Sequence, residues 1–126
     1  MAKPEARAVD PGLLSILSAD DAAAIDWWKK RFALLSGIPT DAARAGALIP
    51  QLRQLAELPE ADRRRLTRAR MQAFLQVPGD QRPAILAARH LASVIDPALL
   101  ASDDAVVQQL VPEVPGAEEM QRQMRP

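Results

Sequence analysis

Prolines cut this chain into pieces of helical length. Pro39, Pro59, Pro78 and Pro97 follow one another at intervals of 20, 19 and 19 residues. Proline lacks a backbone donor and its ring collides with the preceding helical turn, so it marks helix starts and breaks rather than interiors. A period near 20 residues has room for one helix and one turn. Superposing the units that start at Pro59 and Pro78 places Arg63 on Arg82, Leu66 on Ile85, Ala69 on Ala88, Arg70 on Arg89 and Ala73 on Ala92. The expected fold is all-α: a single irregular helical bundle, or a short array of antiparallel neighbours, with about 6–7 helices and proline-marked turns.

The residues between the prolines agree. Alanine and leucine dominate, aromatics are 3% with no tyrosine, and no run alternates Val, Ile, Thr or Tyr, so strands have no support. The chain has 126 residues, enough for one core. Its expected organisation is a mobile tail over 1–9, a helical domain over 10–111, and a proline-broken, partly helical tail over 112–126.

Local signals place the helices. Ser18 reads as an N-cap, with Asp20 and Asp21 in the first turn and Ile25, Trp28, Phe32 and Leu35 on one stripe. Gly37 suits a left-handed C-cap. Thr40 caps a segment to Ile49, and Pro50 is expected to restart the chain as a separate short helix with Leu52 and Leu55 inward. Pro59-Glu60 starts a helix to about Gln76 with Leu66, Ala73, Phe74 and Val77 inward. Asp80 reads as the cap of the next helix, with Pro83 in its first turn and Ile85, Leu86 and Ala92 inward. The segment Asp-Pro-x-Leu-Leu occurs at Asp10 and again at Asp96, each time followed by a serine and paired acids. It reads as one device: a short turn docks two leucines, then the chain bends into a helix capped by Ser18 or Ser102. Residues 117–124 suit a loose terminal helix.

Charge is segregated although the net charge is zero. Residues 61–90 carry seven arginines against Asp62 and Asp80, and residues 91–126 carry six acids against Arg122 and Arg125. Two readings follow: mutual neutralisation within the fold or between subunits, or a binding face for an anionic partner. At about 100° per residue, Arg64, Arg65 and Arg68 fall on a solvated face. Arg63 and Arg70 lie inside the apolar sector, as Arg82 and Arg89 do on the following helix. A guanidinium there either meets an internal carboxylate, such as Glu57, Glu60 or Asp96, or forms a recognition surface for carboxylate or phosphate. Trp27 points about 100° from Trp28 and is a second candidate contact.

Catalytic equipment is sparse. There is no cysteine, so thiol chemistry, disulfides and thiolate metal sites are excluded. His90 is the sole histidine, which leaves no two-histidine metal site within one chain. Glycine-rich phosphate loops and nucleophile elbows are absent. No catalytic, cofactor or metal residue is therefore expected.

The expected function is a non-enzymatic protein–protein interaction module: an adaptor, accessory subunit or small regulator of a larger assembly, bound to a protein partner or to its own copies. Its candidate contact residues are Arg63, Arg70, Arg82, Arg89 and Trp27, and the VPEVPG segment from Val111 suits extended docking on a partner. Two alternatives stand beside it. One is a nucleic-acid-binding regulator using the arginine-rich helix 59–76; the other is an enzyme or cofactor carrier using dispersed carboxylates or His90. The first residues, MAKPEARAVDPG, lack the apolar stretch of a secretory leader, and the expected location is the cytoplasm.

Overall fold

The computed structural model describes residue 13 and residues 15–124, the side chains of residues 123 and 124 excepted. The fold is all-α. Among the described residues, the helices with defined bounds follow in the order α1 (Asp21–Ser36), α2 (Asp41–Ala56), α3 (Glu60–Gln76), α4 (Arg82–Ile95), α5 (Pro97–Leu110) and α6 (Ala117–Met124). Single 3₁₀ turns at Gly79–Gln81 and Val111–Glu113 precede α4 and follow α5. No strand occurs among the described residues. The expected tail over 1–9 and the first Asp-Pro pair lie outside the described residues.

The repeating prolines mark helix starts, but the helices do not pack in sequence order. α1 packs mainly on α3, and α2 on α4. α1 and α3 run the same way: Arg65 reaches Asp21 at 3.7 Å near their starts, and Phe74 meets Phe32 edge-on at 6.0 Å near their ends. The array of antiparallel consecutive neighbours is thus replaced by an irregular bundle of alternating pairs. The main core joins Trp28, Phe32, Leu52, Leu55, Leu66 and Ile85. A smaller core puts Met71 of α3 against Val107, Leu110, Val114 and Ala117. The C-terminal stretch is therefore docked rather than loose, and Met120 reaches the main core.

Several boundaries differ from the local signals. The N-cap of α1 is Asp20, not Ser18; its carboxylate accepts from the Ala23 N–H at 2.8 Å. Gly37 ends α1 at φ −82°, in the right-handed region, so no left-handed cap forms. Thr40 caps α2 as expected, accepting from the Ala43 N–H. Pro50, however, does not break α2, which runs unbroken to Ala56. Buried Leu48 and Ile49 on one side and Leu52 and Leu55 on the other dock both halves. The carbonyl that Pro50 leaves free belongs to exposed Gly46, where water can satisfy it. Asp80 sits within the 3₁₀ turn, and α4 begins after Gln81 with no side-chain cap. α5 starts at Asp96, whose carboxylate accepts from the Leu99 N–H at 3.3 Å, and passes straight through Ser102. The second Asp-Pro-x-Leu-Leu segment thus opens one continuous helix, with no bend at Ser102.

Gly46 offers a clean test of helix propensity. It is exposed within α2, and a Cβ added there would meet nothing within 4 Å. Gly46→Ala is expected to raise folding stability by about 0.5–1 kcal/mol, because alanine loses less backbone entropy on folding. Urea denaturation monitored by circular dichroism reads the change directly.

Candidate functional site

All five arginines of α3 have acceptors inside the fold. Arg63 donates to Ser102 Oγ at 2.8 Å. Arg64 donates to Gln109 Oε1 at 2.6 Å and to Glu113 at 3.2 Å, and Arg68 donates to the same Glu113 at 2.7 Å. Arg65 donates to the carbonyls of Ala19 at 3.0 Å, Ile16 at 3.3 Å and Leu17, closing the turn before α1. Arg64, Arg65 and Arg68, expected on a solvated face, are half-buried and tie the ends of the chain to α3. The reason is topological: the turn at 16–19 and the Val111–Glu113 turn both pass over that face. The basic middle and the acidic C-terminal part therefore neutralise each other within one chain. The VPEVPG segment docks on α3, with Val111 and Val114 buried.

Asp103 is the centre of the most buried polar cluster. Arg70 Nη2 donates to Asp103 Oδ2 at 2.7 Å, and Arg89 Nη2 lies 2.9 Å from the same oxygen. The side chains of Arg70 and Asp103 are only 7% and 3% exposed. Burial pushes the carboxyl pKa up, but the two guanidinium charges and their hydrogen bonds outweigh it, so Asp103 is held below its ordinary value. The carboxylate partner of Arg70 is thus neither Glu57, Glu60 nor Asp96, but a residue that local patterning assigns to a helix cap. A signal for it existed. Leu100, Asp103, Val107 and Leu110 follow helical spacing, which puts Asp103 in the middle of the apolar stripe of α5. Arg70 Cζ also lies 5.9 Å from the Trp28 ring centroid.

The other candidates are dispersed. Arg82 donates to the Leu75 carbonyl at 2.9 Å and covers the Phe74 ring, closing the turn between α3 and α4. Trp27 is half-buried, packs against the core, meets Trp28 edge-on at 4.9 Å and is covered by Arg31 at 4.6 Å. Of the five predicted contact residues, only Arg70 and Arg89 come together. His90 is exposed on α4. It borders a shallow groove between α4 and α5, about 470 Å³ in volume, whose walls include Leu86, Ser93, Pro97 and Leu100. Two adjacent aliphatic residues, Val94 and Ile95, end α4 and are 66% and 56% exposed.

These features define a small helical bundle in which every arginine of the arginine-rich helix has at least one acceptor within the fold. No family model, curated protein or solved structure matches the chain. Among the described residues, no three His, Asp or Glu side chains cluster to hold a metal ion, and no helix is long and apolar enough to cross a membrane.

Proposed function

We propose that this chain is a non-enzymatic protein-interaction module whose partner seats an apolar helix on the end of α4 and the α4–α5 groove. The observation that carries this reading is the exposed pair Val94–Ile95, which follows the groove residue Ser93 in sequence at the end of α4. Water around two neighbouring aliphatic side chains is released on contact, which favours burial by a partner. The groove carries Arg89 and His90 on one wall and Asp104 on the other, so it has no strong single sign. Such a rim selects a partner by apolar side chains at helical spacing rather than by net charge. The arginines of α3 favour the same choice over nucleic acid, because a phosphate backbone would have to compete with acceptors already in place.

A photo-reactive residue at Val94, irradiated in native cells, tests this. The expected result is one protein adduct whose cross-linked peptide has an apolar i, i+3, i+4 stripe and whose yield collapses with Ile95→Asp. An adduct to nucleic acid, to a second copy of this chain, or one indifferent to Ile95→Asp would contradict it.

A further inference from the structure

We propose that a cleft at the centre of the bundle, which shares Leu86, Arg89 and Asp104 with the outer groove, binds a short-chain aliphatic carboxylate with Arg70 as its anchor. The cleft has a volume of about 70 Å³ and takes a wall residue from each of α1 to α6. Phe32, Leu52, Met71, Phe74, Ile85 and Met120 make most of its lining apolar. Arg70 lines it too. Its Nη2 is bonded to Asp103, but its Nη1 is buried with no acceptor. Buried polar groups are rarely left without a partner, so an acceptor brought by a ligand answers a need the protein leaves open.

The charges favour an anion. Arg70 and Arg89, both on the cleft wall, share the single carboxylate of Asp103, which leaves the buried cluster with one positive charge in excess. Asp104 also borders the cleft, but it is exposed and screened by solvent. Gln121, the remaining polar wall residue, is neutral. A carboxylate oxygen on Arg70 gains a charge-assisted hydrogen bond, while its alkyl chain covers the apolar wall. The volume limits the length of that chain: it is well under the roughly 150 Å³ of a known dry apolar cavity, so the chain is short. Half-buried Leu86 stands between this cleft and the outer groove and controls entry.

Sodium butyrate, titrated against the full chain at constant ionic strength, is the probe. The methyl resonances of Met71 and Met120 are expected to shift saturably with butyrate. Acetate, two methylenes shorter, is expected to bind about tenfold more weakly, and uncharged butyramide to produce no saturable shift. Leu86→Trp, which fills the mouth without touching the Arg70–Asp103 pair, is expected to abolish the butyrate response while circular dichroism shows an unchanged helical fold. Shifts no larger than those from sodium chloride, an equal response to butyramide, or binding that persists in folded Leu86→Trp would each overturn the proposal.

Discussion

Asp103→Ala is expected to cost about 3–5 kcal/mol of folding stability and to lower the thermal midpoint by roughly 10–20 °C. The size follows from what the substitution strands. Two guanidinium groups lose their shared carboxylate, and Arg70, almost fully buried, has little solvent to replace it. Restoring the pair is a different matter from creating it: a buried ion cluster gains little over a well-packed apolar one, yet losing one member is severe because the others remain.

The same residue sets a pH dependence with a definite sign. The carboxyl of Asp103 is held below its ordinary value in the folded chain by Arg70 and Arg89. Its stabilisation is therefore fully present above the unfolded value of about 3.9 and is lost as pH falls through the lower folded value. Urea midpoints of the native chain should fall on the acid side of about pH 4, and the Asp103→Asn variant should lack that part of the acid limb. A variant with the native acid profile would remove Asp103 from its central role.

The second large effect separates two adjacent tryptophans. Trp28 has no exposed surface, lies 6.0 Å from Phe32 and supports Arg70 from below. Trp28→Ala is expected to cost about 3–5 kcal/mol, through lost burial and the cavity left behind. Trp27 is half-buried and shares its outer face with Arg31, so Trp27→Ala is expected to cost only about 1 kcal/mol. Urea unfolding of the two variants, with the slope of the transition held to the native value, makes the comparison. Equal losses would mean that Trp27 is as much a part of the core as Trp28.

What could be read from the residues was whatever depends on neighbours in sequence. Proline spacing and the absence of alternating β-branched runs place most helices, and the start of α3 at Glu60 and its end at Gln76 follow from Pro59 and Val77-Pro78. The 3.6-residue period also puts Arg70 among Leu66, Ala73 and Phe74, where it is found. What escaped depends on contacts across the fold. Pro50 reads as a break because its local cost is real, and only the burial of Leu48 and Leu52 on either side keeps α2 whole. Ser102-Asp103-Asp104 has the composition of a cap, yet Asp96 already starts that helix, which leaves Asp103 free to face inward. Arg65 lies on the polar side of α3 by angle alone, and nothing local announces that the 16–19 turn brings three carbonyls over it. Charge segregation was visible in the residue order; that its two halves meet within one chain was not, because Glu113 reaches Arg64 and Arg68 across 45 or more residues.

The arginines of α3 are engaged inside the fold and do not form an open cationic face. Residue-by-residue modification with phenylglyoxal, read by mass spectrometry under native conditions, tests it most directly. Among the described residues, Arg53 and Arg122, whose side chains are 59% and 68% exposed, are predicted to react ahead of the α3 arginines. Arg64, Arg65 and Arg68 should follow well behind, and Arg70 should stay unmodified until the chain unfolds. Modification of the α3 arginines as fast as Arg53 would mean instead that this helix presents an open cationic surface.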